Sequence, residues 1–517
     1  MVEWAGGGTI PGDSASLPGR LPAVPGRPAH SYLPALDRML DFWTLILAAL
    51  AIAGPAAATV HIVFAKRNPS TAVAWVGLVW LAPLLGIVTY LMFGITRMQR
   101  RARALIGEEG MDESARDLEP VSLRELAEEL GPKGAHLTAI ARLANRVAGR
   151  PLLGGNRVEL LENGDEAFPA MLEAIDGARH SIALCTYIFD HDKAGIQFRD
   201  ALRRAVERGV EVRVLIDALG ARYSRPSMVA ELRRAGVPVA RFHPVVLQWR
   251  MPYFNLRNHR KILVVDGCMA FTGGMNIRVG HLLGAGPPKP IRDLHARIEG
   301  PVVAELRDVF AEDWLATTKE LLAGEAWFPP LAPKGEIVAR GISDGPDGDF
   351  EKLQTILLGA LATAERRVRI VTPYFIPDER IVDALGVAAL RGVEVEVHLP
   401  ARSNLTLVQW ASQAYWLQVL EKGVKIHATG QPFDHAKIMT VDGAWGLIGS
   451  ANWDPRSLQL NFEFNVELYG AALVHELDAM IDERQREATP VTKKMMRERP
   501  AVERLRDGLV RLLSPLL

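Results

Sequence analysis

Two stretches decide how this chain folds. One is Asn258-His259-Arg260-Lys261-Ile262-Leu263-Val264-Val265-Asp266-Gly267; the other is Asp434-His435-Ala436-Lys437-Ile438-Met439-Thr440-Val441-Asp442-Gly443. The histidines lie 176 residues apart, and so do Lys261 and Lys437, and Asp266 and Asp442. Each stretch then reaches a step of small residues and an asparagine, Gly273-Gly274-Met275-Asn276 and Gly449-Ser450-Ala451-Asn452. Asn276 and Asn452 keep the same interval of 176. One His-Lys pair alone reads as an exposed strand face. Two pairs at one spacing mark a duplicated site.

Period-two geometry explains the spacing within each copy. Side chains two apart on a strand share a face. His259 and Lys261 therefore point together, as do His435 and Lys437, while Arg260 and Ala436 point away. Ile262–Val265 and Ile438–Val441 continue as strands, and Asp266-Gly267 and Asp442-Gly443 make turns. Gly273, Gly274 and Ser450 are expected to let the backbone approach an anion, or to open a helix whose N-terminus favours negative charge. The amides of Asn276 and Asn452 add donors.

The duplication extends outward. Leu172–Ile175 belongs to a helix, Ser181–Phe189 reads as an apolar strand, Phe198–Arg208 as an amphipathic helix and Val210–Ile216 as a strand. The same order returns as Glu351–Glu365, Val368–Phe375, Arg380–Arg391 and Val393–Leu399. Arg208-Gly-Val-Glu-Val212 reappears as Arg391-Gly-Val-Glu-Val395. Helices alternating with apolar strands imply a sheet covered on both faces. The two copies meet near 325–345, where Pro, Gly and Asp are frequent.

Two His, two Lys and two Asn gathered at a pseudo-dyad suit a phosphodiester. One His can attack phosphorus and form a covalent phosphohistidine. The other can protonate the leaving alkoxide and then deprotonate the incoming alcohol or water. Lysines and asparagines stabilise the nonbridging oxygens without a metal or other cofactor. Zinc is disfavoured, because Lys is a poor ligand where a third coordinating group should stand.

Composition bounds the partners. The 517 residues carry 60 Lys+Arg and 60 Asp+Glu, a formal net charge of zero. That excludes a polycation coating nucleic acid and an acidic solvating chain. Hydrophobic residues make up 49% of the chain and mean hydropathy is +0.07, so apolar character must be concentrated somewhere. Cys185 and Cys268 both read as small core residues. Residues 1–40, rich in Gly and Pro, are expected to be disordered. Phe42–Ala65 and Asn68–Thr96 then carry no charged residue. Each exceeds the roughly 20 residues that span a bilayer core, so residues 41–105 are expected to hold a transmembrane hairpin. A cleaved signal peptide or buried soluble helices are the alternatives. Lys66 and Arg67 stand in the loop, against Arg97, Arg100, Arg101 and Arg103 at the exit. That bias puts the N-terminus and main domain in the cytoplasm, on a multi-pass inner-membrane protein.

With those motifs the chain resembles the phospholipase D superfamily, whose HxKx4D signature it carries twice, and within it the bacterial cardiolipin synthases. Trp75, Pro83, Phe93-Gly94, Arg292-Asp293 to Pro301, Trp314, Thr372 to Pro377, Asn461-Phe-Glu463 and the tail Leu512–Leu517 add to the resemblance. It implies an α/β fold of two duplicated halves, each a mixed sheet flanked by helices, at 151–335 and 336–517. A helical linker, 106–150, would precede them. It implies transfer of a phosphatidyl group between two phosphatidylglycerol molecules, releasing glycerol. His259 becomes the nucleophile and His435 the acid/base, although the sequence itself does not choose. Asp266 and Asp442 would orient the catalytic set. Glu463, and the region near Asp293, would hydrogen-bond the opposite imidazole and fix its tautomer.

The partners implied are phosphatidylglycerol, other phospholipids and the membrane, with no nucleic acid; a homo-oligomer is left open. One departure stands out. After Asn276 the family usually continues with a short acidic stretch, whereas here IRVGHLLGAGPPKP is apolar, basic and Pro-rich. A membrane-tethered hydrolase with the same catalytic groups, or a catalytically silent lipid-binding scaffold, are the other readings. The tail 491–517 places Leu505, Leu509, Leu512 and Leu513 on one helical face, suited to anionic lipid or to simple packing.

Overall fold

A computed structural model describes residues 33–65, 69–94, 118–242, 256–345 and 351–514. They fall into two compact units, divided between Ile95 and Thr96.

The N-terminal unit is helical. Its first helix, Leu33–Ala65, begins inside the segment expected to be disordered; residues 1–32 lie outside the described residues. The second charge-free run is not one straight helix. It breaks into Pro69–Leu81, Pro83–Thr89 and a π-helical turn, Tyr90–Gly94. Pro83 lacks an N–H and takes the first position of a new helix, with Ala82 turned out at φ −140°. Gly86 lets the two pieces close, since a Cβ there would lie 2.4 Å from the Leu78 carbonyl. The runs pack on each other through Ile62, Val79 and Tyr90, with Tyr90 Oη 2.7 Å from His61 Nδ1. Phe64, Leu81 and Leu84 remain exposed. Among the described residues, no helix is long and apolar enough to cross a membrane. Lys66, Arg67 and the arginines of the exit lie outside the described residues.

The larger unit holds both copies. In the first, Val239–Phe242, Glu211–Asp217 and Ser181–Thr186 run parallel. Ile262–Val265, Met269–Gly273, Leu294–Glu299 and Leu153–Glu162 continue the sheet antiparallel. The second repeats this order. Lys425–Thr429, Glu394–Pro400 and Arg367–Val371 are parallel; Ile438–Val441, Trp445–Gly449, Asn461–Tyr469 and Ile337–Asp344 follow antiparallel. Parallel neighbours need crossovers. The helices Lys193–Glu207 and Glu379–Leu390 supply two of them. Ile337–Asp344 also pairs with Leu153–Glu162, so the strand order runs unbroken from one copy into the other.

The repeated Arg-Gly has a local cause. Gly209 (φ +85°) and Gly392 (φ +93°) leave their helices in the left-handed region that favours glycine. The preceding arginines reach back to the end of an earlier helix: Arg208 to Ile175 O at 2.9 Å, Arg391 to Ala362 O at 2.8 Å.

The linker helices Leu123–Gly134 and Thr138–Val147 pack on the second copy. Leu126, Leu137, Ile140 and Ala144 share a core with Ile356, Leu357 and Ala360. The cysteines part company. Cys185 is buried, but Cys268 is exposed, because it sits on the turn after Asp266-Gly267 rather than in the strand.

Candidate active site

The copies exchange short strands, and that exchange builds the site. Arg257–Asn258 of the first copy pairs with Asn461–Phe462 of the second. Phe433–Asp434 of the second pairs with Ile291–Arg292 of the first. Each motif histidine is then held by the opposite copy. His259 N–H donates to Phe462 O at 2.9 Å, and His435 N–H to Arg292 O at 2.7 Å.

The imidazoles follow the same crossing. His259 Nδ1 lies 2.9 and 3.0 Å from the two oxygens of Glu463. His435 Nδ1 lies 2.8 Å from Asp293 Oδ2. A carboxylate only accepts, so Nδ1 carries the proton and Nε2 keeps its lone pair. Lys437 Nζ is 3.0 Å from His435 Nδ1 as well, but two donors cannot share one proton position. The shorter, charge-assisted contact to Asp293 takes Nδ1–H, and Lys437 donates to the His435 carbonyl. Lys261 Nζ donates likewise to His259 O at 2.6 Å.

The carboxylates are themselves fixed. Glu463 accepts from Ser450 Oγ at 2.6 Å and Asn461 Nδ2 at 3.1 Å. Asp293 accepts from Leu294 N–H at 2.9 Å. The small residues find their role here. A Cβ on Gly274 would lie 2.1 Å from Asp293 Oδ1, and one on Gly273 would lie 2.3 Å from Leu294 O. Neither glycine opens a helix; Gly273 ends a strand, Gly274 follows it, and both make room for Asp293 and its neighbours. Asn276 Oδ1 accepts from Ile188 N–H at 3.0 Å, and Asn452 Nδ2 donates to Ser457 Oγ at 3.1 Å. Asn452 Oδ1 is buried and unbonded.

Burial sets the protonation states. Desolvation outweighs the pull of Glu463 and holds His259 below the usual histidine range. His435 is driven further down by desolvation and by the charges of Lys437 and Lys261. Both imidazoles are therefore neutral near pH 7. Desolvation also pushes Lys261 to about 7 and Lys437 to about 8, against the opposing pull of the carboxylates. Burial works against ionisation of Glu463, but His259, Lys261 and Ser450 hold it low. Lys437 lowers Lys261, and each lysine lowers the imidazole of the opposite copy, so the two motifs form one electrostatic unit.

Asp266 and Asp442 are not brought to this unit, contrary to a catalytic assignment. They follow the far ends of the strands, about 23 Å along an extended chain from the histidines. Asp266 accepts from the N–H groups of Arg179, His180 and Ser181 at 2.7–3.1 Å. Asp442 accepts from Glu365, Arg366 and Arg367, each at 2.8 Å, and lies 2.7 Å from His136 Nε2. Both have positive φ, 49° and 52°. They order the entrance of a neighbouring strand.

Three features escaped the spacing. Asp293 is 170 residues before Glu463, not 176, because the first copy is six residues longer between its Asn and its carboxylate. Tyr187 stands edge-on to His259 at 5.1 Å and Tyr374 to His435 at 6.2 Å. Beneath the histidines lie two buried ion pairs of opposite polarity. Arg260, between the strands Arg257–Asn258 and Ile262–Val265, meets Asp313 on a helix at 2.7 Å, while Asp434 in the second motif meets Arg484 on a helix at 2.8 Å. Among the described residues no cluster of His, Cys, Asp and Glu could hold a metal ion.

Residues 171–314 and 357–484 match the family described as "Cardiolipin synthase, PLD-like domain". Residues 56–94 match "Phospholipase_D-nuclease N-terminal". A cardiolipin synthase of Geobacillus sp. (strain WCH70) is 37% identical over 87% of this chain and 90% of that protein. Cardiolipin synthase 1 of Bacillus cereus is 32% identical over the same shares. Among solved structures, a phosphatidylserine synthase of Haemophilus influenzae Rd KW20 superposes with a TM-score of 0.58 at 15% identity. It covers 73% of this chain and 100% of its own, a likeness of fold.

Proposed function

The chain belongs to the cardiolipin synthases of the phospholipase D-like family, and from that premise we propose how its residues carry the reaction. It is a phosphatidyltransferase that joins two phosphatidylglycerol molecules and releases glycerol. The observation that carries the mechanism is the crossed pair of carboxylate–imidazole contacts, His259 to Glu463 and His435 to Asp293.

His259 Nε2, neutral and aimed by Glu463, attacks the phosphorus of the first phosphatidylglycerol. The bond from phosphorus to the glycerol oxygen breaks, and His435 delivers the proton that this oxygen needs. His435 must enter this step protonated. The dianionic transition state beside it, together with Asp293 behind it, offsets the desolvation that depresses its pKa. The second phosphatidylglycerol then gives its hydroxyl proton to His435 while its oxygen attacks phosphorus. The phosphorus–His259 bond breaks, and cardiolipin leaves. Lys261 and Lys437 hold the nonbridging oxygens. The buried amides of Asn276 and Asn452 add donors. The displaced pKa values of Lys261 and Lys437 return toward normal when an anion sits beside them.

A dry site favours the lipid alcohol over water, and both histidines are only 9% exposed. The charge-free runs with exposed Phe64, Leu81 and Leu84 support a membrane hairpin. That hairpin raises the effective concentration of both lipid substrates. The catalytic unit lies on the cytoplasmic side of the inner membrane.

Trapping tests the roles. His435→Ala should accumulate a phosphatidyl adduct on His259 from a substrate with an activated leaving group, while His259→Ala should accumulate none. Adducts on His435 would reverse the assignment.

A further inference from the structure

The helix Ala501–Arg511 is docked with its apolar side outward. An amphipathic helix on a soluble surface buries its apolar stripe and exposes its charges. Here Val502, Leu505, Leu509 and Leu512 share one face, within about 80° of arc at 100° per residue. They are 78%, 65%, 57% and 71% exposed. The buried face is the charged one. Asp507 is 1% exposed and paired with Arg499 and Arg506, each at 2.7 Å. The Arg506 guanidinium lies 4.4 Å over the Trp410 ring, and Arg511 lies 5.6 Å over Tyr415. These cations grip the helix Thr406–Glu421.

The docked helix is also coupled to the site. Val510 packs against a cluster of Ile376, Val408 and Ala411 that includes Tyr374. Tyr374 stands edge-on to His435 and donates to Asn404 Oδ1 at 2.7 Å. Leu405 and Leu407, where the supporting helix begins, are 48% and 47% exposed. The segment 491–517 holds seven Lys and Arg against three Asp and Glu, and Lys494 and Arg497 are exposed.

We propose that this outward apolar face is a bilayer-docking surface that inserts into an anionic leaflet and seats the His435 side of the site at the headgroups. The occupant is lipid for two reasons. The flanking cations complement an anionic surface. The helix is also linked to the acid/base histidine through Val510, the cluster it packs on and Tyr374, so docking would place that side of the site near the headgroups. The inference rests on the phosphatidyl-transfer reading.

The test uses the full chain, in a Cys268→Ser background, reconstituted into phosphatidylglycerol-containing bilayers. An environment-sensitive fluorophore is placed on Leu509→Cys, with a control on Arg504→Cys. The label at 509 should shift to the blue and be quenched by lipid-borne quenchers, while that at 504 should stay aqueous. The double variant Leu505→Glu/Leu509→Glu should lose about tenfold of its bilayer turnover. It should keep its turnover on short-chain phosphatidylglycerol in micelles. An aqueous label at 509, or undiminished bilayer turnover, overturns the proposal. So does quenching that comes only from a labelled second copy, which would make the face a dimer contact. If the unmodified chain makes no cardiolipin while the label still reports insertion, the function reading fails and the docking surface stands.

Discussion

Nδ1 of His435 lies 2.8 Å from a carboxylate oxygen of Asp293, which the other copy of the repeat supplies. His259 and Glu463 repeat this in reverse. Neither copy holds an imidazole–carboxylate pair by itself; each pair is made by both copies.

The carboxylates should matter through the imidazoles. Asp293→Asn and Glu463→Gln keep shape but remove the anion that fixes the tautomer. Each should lower kcat by about 100-fold or more and leave KM nearly unchanged. Steady-state kinetics on phosphatidylglycerol check this; a rise in KM alone would make the residues substrate contacts.

Asp442 should matter through folding. Asp442→Ala leaves three backbone donors without their acceptor and should cost about 2–4 kcal/mol. Activity per folded molecule should survive. Backbone donors and His136 hold the Asp442 carboxyl below its usual range despite partial burial. A depressed carboxylate contributes stability above its unfolded pKa, lost as pH falls through the folded value. The variant's melting temperature should therefore converge on the parent's in strong acid.

The buried ion pairs should show compensation. Arg484→Met strands Asp434 beside His435 and should cost about 3–5 kcal/mol. Adding Asp434→Asn should recover most of it, because Asn258 already fills the equivalent place in the first copy. Thermal denaturation of the single and double variants reads this; simple additivity would contradict it.

The pH profile should carry the lysines. Burial brings Lys261 to about 7 and Lys437 to about 8. As they lose protons, phosphate binding weakens, so kcat/KM should fall on the alkaline side through this range. His259 attacks as the free base and lies below its usual value, so the acid limb should lie below pH 6.5. Lys437→Arg should move the alkaline limb up; an unmoved limb would assign it elsewhere.

The doubled motif made most of this legible. Period-two alternation put His and Lys on one face, and a shared interval of 176 announced the pseudo-dyad. What the interval hid was the exchange. Asp293 and Glu463 break the register by the six extra residues of the first loop, and short crossing strands carry no periodic signal. The same regularity misled at Asp266 and Asp442, where a repeated residue serves a repeated turn. Cys268 misled similarly, since an apolar run does not reveal which residue sits on the turn. Gly274 looked like an anion cradle but clears space for a side chain distant in sequence. In the N-terminal unit, hydropathy marked both runs but not the break that Pro83 imposes.

Product analysis tests the central claim most directly. The full chain, incubated with phosphatidylglycerol in mixed micelles, should yield cardiolipin and glycerol in equal amounts, and none of either from His259→Ala. Phosphatidic acid and glycerol without cardiolipin would show that water, not a second lipid, resolves the intermediate, and would contradict the account.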